Sequence, residues 1–249
     1  MPRYEFRMQR LFLDAAISRD TPIALDRAQA NYLLNVLRLK SDDEVLVFNG
    51  RDGEWRARIA VEGRKAASLV PVGETRAQAP LPDLLYLFAP LKHARLDYMI
   101  QKAVEMGAGR LAPVLTQHTQ TNRLNLERAR ANAVEACEQC GVLSVPEIGD
   151  PVPLEAVLAG WEENEPGRRL IFCDEGEAGQ NPLDPLQALE RGPLAVLIGP
   201  EGGFSEEERA RLRALPFVTP VPLGPRVLRA DTAAVAALAV VQAVLGDWR

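Results

Sequence analysis

The chain has 249 residues, a formal net charge of −5, and 47% hydrophobic residues. This composition supplies a packed core and excludes a disordered chain. The longest apolar run, residues 233–245, is too short to span a bilayer, and the first residues lack the apolar stretch of a secretory signal. We therefore expect a soluble cytoplasmic protein that does not associate with membranes.

Residues 1–76 predict a small β-rich domain. Strands are predicted at residues 11–13, 44–50, 54–61 and 67–72, with a helix from Asp26 to about Leu39 and a hairpin turn at residues 51–53. Short strands with one helix suggest a compact β-barrel. Residues 77–83 contain two prolines and no periodicity, so we expect a linker there and a second domain over residues 84–249.

Strands and helices alternate in the second part of the chain. The predicted strands are at residues 84–89, 111–115, 170–173, 194–198 and 218–223. The predicted helices are at residues 92–106, 126–140, 205–215 and 231–245. Alternation with continuously apolar strands predicts an α/β fold in which helices cover a parallel sheet.

The cysteines do not indicate a metal or disulfide framework. Cys137, Cys140 and Cys173 are an odd, small set, and the single CxxC has no second cysteine pair to complete a structural zinc site. We interpret Cys137 and Cys140 as two helical residues one turn apart and predict no metal site.

The segment LAVLIGPEGGFSEEE, residues 194–208, predicts a buried strand, a glycine-rich loop and a helix capped by Ser205 and Glu208. In open α/β sheets, ligands bind beyond the carboxyl ends of the strands. The loop lacks the lysine of a phosphate-binding loop, and three glutamates in the first helical turn would repel a phosphate. A neutral or cationic ligand such as S-adenosylmethionine fits better. A plain strand–turn–helix corner is the alternative.

A second segment, LGPRVLRADTAA at residues 223–234, also runs from a strand through a loop into a helix. The helix is predicted to be capped near Asp231 or Thr232. Arg229 precedes that helix, where the helix dipole disfavours a cation, so we predict a functional role for it. The alternative is an ion pair between Arg229 and Asp231 that fixes the loop.

Together these two segments resemble the RsmE family of 16S ribosomal RNA uridine-N3 methyltransferases, within the SPOUT superfamily. QKAVEMG at residues 101–107, EACEQC at residues 135–140 and two N-terminal segments resemble other parts of the family, so the resemblance covers nearly the whole chain. It implies a PUA-like RNA-binding β-barrel domain, a SPOUT-type domain whose parallel sheet carries a deep trefoil knot, and a homodimer. It also implies S-adenosylmethionine as cofactor and uridine 1498 of 16S rRNA in the small ribosomal subunit as substrate.

The resemblance assigns cofactor contacts to strand ends and to the two loops. These contacts are Phe172, Cys173, Ile198, Gly199, Pro200, Glu201, Gly203, Leu223, Gly224, Val227 and Leu228, and Asp174 is expected to border the same pocket. Arg229 is the predicted catalytic side chain, because a fixed cation facing the uracil oxygens stabilises the charge that develops when N3 loses its proton. Glu201 or Asp231 is predicted to take that proton.

Basic residues near the N-terminus and on the flank of the helix at residues 92–106 are predicted to contact RNA phosphates. These residues are Arg3, Arg7, Arg10, Lys92, Arg95 and Lys102. A solvated helix face has the same pattern. Two arginines of the family are replaced here by His118 and Val142, and His118 or Arg123 is predicted to substitute for them. Two other functions stay open: a ribose 2′-O or guanine-N1 RNA methyltransferase, and a catalytically silent RNA-binding assembly protein.

Overall fold

The protein is described by a computed structural model that covers residues 8–63, 66–92, 94–174 and 181–248. Its contacts divide the chain into two compact units. The first comprises Met1–Pro80 and Cys137–Val145, and the second comprises Leu81–Ala136 and Pro146–Arg249. Residues 137–145 therefore belong to the first unit, although 56 residues of the second unit separate them from Pro80 in the sequence. No pattern in the sequence indicated this grouping.

The first unit is built on a five-stranded sheet. Its strands are β1 (Arg10–Phe12), β2 (Ile23–Ala24), β3 (Glu44–Phe48), β4 (Glu54–Gly63) and β5 (Ala66–Arg76). The strand order is β1-β3-β4-β5-β2, in which β1 and β3 are parallel and the other neighbours are antiparallel. The predicted β3–β4 hairpin is confirmed. Gly53 turns the chain there at φ +79°, and a Cβ at this position would lie 2.5 Å from the carbonyl oxygen of Arg76.

The helix of the first unit is shorter than predicted. Helix α1 (Arg27–Asn31) is capped by Asp26, as expected, and continues into a π-helical turn at Tyr32–Val36. The helix does not reach Leu39, because Arg38 adopts a left-handed conformation with φ +58°. A single residue in this conformation ends a right-handed helix.

A buried ion cluster in the first unit corrects the prediction for Arg10. The guanidinium is 4% exposed, and its Nε donates to Oε2 of Glu54 at 2.9 Å, an oxygen that also accepts from Arg76 at 2.6 Å. Burial raises the pKa of Glu54, but hydrogen bonds from Arg76, Thr75 and Arg10 outweigh it and lower that pKa. Arg10 is enclosed and paired, so its assignment to phosphate binding is wrong.

The second unit holds a seven-stranded sheet. Its strands are β6 (Leu84–Phe88), β7 (Arg110–Leu115), β8 (Glu147–Ile148), β9 (Val152–Pro153), β10 (Arg169–Cys173), β11 (Leu194–Ile198) and β12 (Val218–Val221). The order is β12-β10-β11-β6-β7-β8, with β9 beside β7, and every pair is parallel. The predicted parallel α/β sheet is confirmed.

Helices follow the strands of this sheet. They are α2 (Ala94–Glu105), α3 (Leu126–Cys140, whose last residues group with the first unit), α4 (Leu154–Ala159), α5 (Trp161–Asn164), α6 (Leu183–Gln187), α7 (Glu206–Ala214) and α8 (Ala230–Val244). The short elements β8, β9, α4, α5 and α6 were not predicted. Within the described residues, no helix has the length and apolar character needed to cross a bilayer.

The starts of two helices bear on the predicted loops. Ser205 caps α7 through the expected box, in which Ser205 Oγ accepts from the Glu208 N–H and a Glu208 carboxylate oxygen accepts from the Ser205 N–H. Helix α8 begins one residue earlier than predicted, with Arg229 as its N-cap. Asp231 lies inside the first turn and accepts from the Thr232 N–H at 2.9 Å. The predicted cap at Asp231 or Thr232 is therefore wrong.

Candidate active site

A cavity of about 230 Å³ lies where the chain leaves β10, β11 and β12. These strands are parallel neighbours in the sheet, so their carboxyl ends meet at one edge. The walls come from Cys173 and Asp174 after β10, from the loop at residues 198–204, and from the segment at residues 223–230 that leads into α8. Two loops far apart in the sequence thus form one site.

The cavity gathers the predicted cofactor contacts with one exception. All of them line it except Phe172. The Phe172 side chain is fully buried, and its ring packs edge-on against Phe204 with 5.0 Å between ring centroids. Phe172 therefore supports the site from beneath and does not face it. The prediction missed five lining residues: Phe204, Pro225, Arg226, Ala230 and Ala233. Phe204 had a signal in the sequence, since it is the one aromatic residue between the glycines and the helix cap.

The glycine loop is packed tightly against the Phe204 ring. A Cβ on Gly199 would lie 2.6 Å from Cε2 of that ring, closer than two carbon atoms approach. Gly203 adopts φ +68°, and its N–H donates to the Pro200 carbonyl at 3.0 Å. Glycine is thus required at residue 199 by close approach and favoured at residue 203 by backbone conformation.

The turn after β7 braces this loop. The His118 Nδ1–H donates to the carbonyl oxygens of Gly202 and Gly203 at 3.1 and 3.2 Å. One carboxylate oxygen of Glu208 accepts from the Gln117 N–H at 2.8 Å, which ties the turn to the start of α7. His118 is exposed, so its predicted RNA contact stays a prediction, but its Nδ1 already holds the loop.

Two carboxylates at the cavity face arginines. Glu201 is 3.3 Å from Arg95, with both side chains partly exposed, so this pair contributes little to stability. Asp174 is 2% exposed and is bound by Arg213 at 2.6 Å and by Arg209 at 3.2 Å. The wall at Asp174 is therefore fixed by helix α7, and Glu201 is held across from the first turn of α2.

Cys173 contributes a neutral thiol to the wall. Burial raises the pKa of Cys173 to about 12, and the charge of Asp174 adds to this shift. Because the thiolate is the reactive form of cysteine, the side chain is inert near neutral pH. Cys173 is therefore a packing surface of the cavity and not a nucleophile.

Arg229 is exposed and lines the cavity, whereas Asp231 does not line it. Within the described residues, Arg229 and Asp231 form no ion pair. The alternative in which Arg229 only pins Asp231 is therefore wrong. The Arg229 side chain makes no capping hydrogen bond to α8 either, so its contribution to the helix start is that of its backbone.

The second loop leaves polar and apolar groups open to a ligand. Across the described part of the chain, the backbone groups of residues 223–227 form no hydrogen bond. Gly224 adopts φ +88° with open space around it, and Val227 is 83% exposed. Backbone donors and acceptors beside an exposed apolar side chain suit a flat, polar-edged ligand.

The other predicted RNA contacts differ in exposure and pairing. Lys92 and Arg123 are exposed, and Lys102 pairs with Glu105 at 2.7 Å. Arg3 and Arg7 lie outside the described residues.

Comparison with known proteins identifies the class. A sequence model described as RNA methyltransferase domain matches residues 77–242, and one described as RNA methyltransferase PUA domain matches residues 25–72. The fold and its cavity are thus those of an RNA methyltransferase with an N-terminal PUA domain.

Individual relatives narrow this class. Ribosomal RNA small subunit methyltransferase E of Synechocystis sp. is 30% identical across 91% of this chain and 74% of its own, and that of Rickettsia conorii is 27% identical across 95% and 96%. The crystal structure of the Neisseria gonorrhoeae protein of the same name, bound to S-adenosyl methionine, matches with a TM-score of 0.84 at 26% identity, covering 97% of this chain and 100% of that one. The chain belongs to the ribosomal RNA small subunit methyltransferase E family, as the two loop motifs indicated.

Proposed function

We propose that this protein transfers a methyl group from S-adenosylmethionine to N3 of uridine 1498 in 16S rRNA. The observation that carries the proposal is the cavity at the carboxyl ends of β10, β11 and β12, with Arg229 exposed at its wall. Family membership and the cofactor bound in the Neisseria gonorrhoeae structure support the same reading.

The residues of the cavity fit S-adenosylmethionine. Residues 223–227 offer unbonded backbone groups for its polar edges, and Gly199 allows the backbone to approach a flat ring. The cofactor supplies a methyl group on a positively charged sulfur. Among the described lining residues, the carboxylates Asp174 and Glu201 balance the cations Arg226 and Arg229 in formal charge.

Arg229 stabilises the charge that develops on the uracil ring. N3 must lose its proton before or during transfer, which leaves negative charge on O2 and O4. The guanidinium is always charged and presents a planar fork of donors to such oxygens. A fixed donor aimed at developing charge is worth about 10²–10³ in rate.

Glu201 is the better proton acceptor of the two predicted candidates. It lines the cavity, and its side chain is 33% exposed although Arg95 lies 3.3 Å away. Asp231 lies outside the cavity, and one of its carboxylate oxygens already accepts from the Thr232 N–H. We therefore assign proton removal to Glu201, directly or through water.

The remaining architecture follows the same proposal. Residues 1–76 form an RNA-binding β-barrel, residues 77–83 a linker, and residues 84–249 a SPOUT-type domain whose two cofactor loops belong to a deep trefoil knot. The protein acts in the cytoplasm, where small-subunit RNA is the substrate.

We also propose a homodimer that covers the outer face of α8. Asp231, Thr232 and Gln242 are the only polar residues of this helix. Ala234, Ala237, Leu238 and Val241 are buried in their own chain, whereas Ala236 and Val240 on other faces stay partly exposed. A helix that is apolar on all its faces is normally buried on all of them. We therefore propose that a second copy of the chain packs against the exposed face of α8.

Replacing Arg229 with lysine tests the catalytic assignment. Lysine keeps the charge but loses the planar fork, so we expect kcat to fall by about 10²–10³ while cofactor affinity is retained. Arg130→Lys is the control, because Arg130 is an exposed arginine that does not line the cavity, and it should turn over close to the wild-type rate. Single-turnover methyl transfer with separate calorimetry of cofactor binding separates the two effects. An unchanged rate for Arg229→Lys refutes the assignment.

A further inference from the structure

A second cleft, of about 340 Å³, lies between α2 and the start of α3 and shares no residue with the cofactor cavity. Its floor is apolar and its rim is basic. Leu96, Ile100 and Leu124 form the floor, and Lys92, Arg123 and Arg128 stand on the rim. The proposed transfer reaction does not use this cleft.

Arg128 is held in one plane although its side chain is 59% exposed. Its Nε donates to Asp97 Oδ1 at 3.0 Å and its terminal nitrogen donates to Oδ2 at 2.5 Å. Asn132 donates to the same Oδ1 at 2.8 Å and so fixes the carboxylate in turn. A two-point pair of this kind sets the orientation of the guanidinium. An exposed, immobilised guanidinium plane is a surface on which an unstacked nucleobase lies flat.

The charges of the cleft complement a phosphate. Within the described residues, Lys92 and Arg123 are exposed and form no ion pair. Asp97 is the single carboxylate among the described lining residues, and Arg128 balances it. Two uncompensated cations therefore stand beside an apolar floor and a fixed guanidinium plane. A nucleotide carries the matching parts, since its phosphate is anionic and its base is flat.

The first turn of α2 connects the cleft to the cofactor cavity. Lys92 and Leu96 line the cleft, and Arg95 between them in the sequence lies 3.3 Å from Glu201 of the cavity. We propose that the cleft binds one unstacked nucleotide of single-stranded RNA next to the target uridine. Its base stacks on Arg128 and its phosphate lies between Lys92 and Arg123. The inference rests on the proposed function in taking the ligand to be RNA.

Binding of two labelled probes to the full chain tests the proposal. One probe is octauridylate and the other is a ribose-phosphate chain of the same length without bases, both followed by fluorescence anisotropy over a potassium chloride series. We expect Arg128→Ala and Arg128→Lys to lose about 5- to 150-fold in affinity for octauridylate, the equivalent of one base stack, and little for the abasic chain. Arg123→Gln should still bind octauridylate more tightly than the abasic chain. It should reduce the slope of log affinity against log salt concentration by about 0.7, the value for one phosphate contact.

The control is Arg130→Ala, which removes an exposed arginine of the same helix that does not line the cleft and should bind both probes as the wild type does. Asp97→Asn is a second route, because it frees the guanidinium plane without removing its charge, and it should also reduce the preference for bases.

Unchanged octauridylate binding by the Arg128 variants would overturn the proposal. Equal losses for both probes would overturn it as well, since Arg128 would then act as a phosphate contact or as a tie between α2 and α3. Thermal unfolding shows whether the Arg128 variants fold. If they do not, the base preference of Asp97→Asn tests the proposal instead, and an unchanged preference would overturn it. Failure of the proposed function would look different: methyl transfer to N3 would be absent while the preference for bases persisted.

Discussion

Replacing Gly199 with alanine should damage the cofactor cavity through the Phe204 ring. The new Cβ would lie 2.6 Å from Cε2 and 3.0 Å from Cδ2 and Cζ of that ring. Carbon atoms pack at about 3.5–4.0 Å, so the ring would have to move by about 1 Å. It has little room, because Phe204 is 7% exposed and packs edge-on against Phe172 at 5.0 Å. We expect overpacking of this kind to cost about 1–3 kcal/mol.

Two assays measure this cost. Thermal unfolding should show a lower Tm, by about 2–4 °C per kcal/mol for a domain of this size. Calorimetry should show weaker S-adenosylmethionine binding, with Kd raised about tenfold for each 1.4 kcal/mol that falls on the bound state. Both Gly199 and Phe204 line the cavity, so a displaced ring changes its shape.

Matched variants separate packing from other effects. Gly192→Ala is the control, because a Cβ at Gly192 meets nothing within 4 Å, and it should leave Tm and Kd unchanged. The double variant Gly199→Ala with Phe204→Leu should recover part of the loss, since the smaller side chain relieves the contact and the two sites couple. Wild-type Tm and Kd in Gly199→Ala would refute the packing argument.

Three further predictions concern stability, reactivity and assembly. Arg10→Gln should lower the free energy of unfolding in urea by up to about 3–5 kcal/mol, because it removes one of the two arginines that pair with the buried carboxylate of Glu54. The salt dependence of RNA binding should stay unchanged, and a wild-type urea midpoint would contradict this prediction. With iodoacetamide at pH 8, Cys140 should be alkylated well before Cys173, since burial raises the pKa of Cys173 to about 12, and comparable rates by mass spectrometry would contradict this. Ala236→Trp should give a folded monomer by light scattering, because Ala236 is partly exposed in a single chain. Ala237→Trp should instead unfold the chain, because Ala237 is 2% exposed within it. A wild-type protein that is monomeric at micromolar concentration would refute the dimer.

Sequence patterns predicted the elements whose structure depends on neighbouring residues. The Ser205–Glu208 capping box and the β3–β4 hairpin each depend on a few neighbouring residues, and both form as predicted. The continuous apolar runs of β10 and β11 gave the buried parallel strands. Strands β2, β8 and β9 escaped prediction because two residues cannot show a period, and helices α4, α5 and α6 escaped it because each covers fewer than two helical turns.

Long-range packing determined what the sequence patterns missed. The place of β10 between β11 and β12 depends on how the whole sheet assembles. Arg10 and Glu54 are far apart in the chain, and their pairing in the core has no local signature. A basic residue near the N-terminus therefore looked like a surface residue.

The candidate site divides in the same way. Its two loops contain glycines and lead into helices, and both features are visible in the sequence. The sequence therefore predicted most of the residues of these loops that line the cavity. The sequence did not show that the Phe172 side chain lies away from the cavity, because β10 is buried on both faces. Alternation along such a strand does not reveal which face a side chain occupies. Phe172 packs into the core beside Phe204, and its neighbour Cys173 reaches the cavity.

Nucleoside mass spectrometry tests the central claim most directly. Small ribosomal subunits from cells that lack this protein are incubated with the purified protein and S-adenosylmethionine carrying a deuterium-labelled methyl group, and the 16S rRNA is then digested and mapped. We predict labelled N3-methyluridine at position 1498 with the wild type and its near absence with Arg229→Lys. A label on a ribose 2′-oxygen, on guanine N1, or on no nucleoside at all would contradict the account.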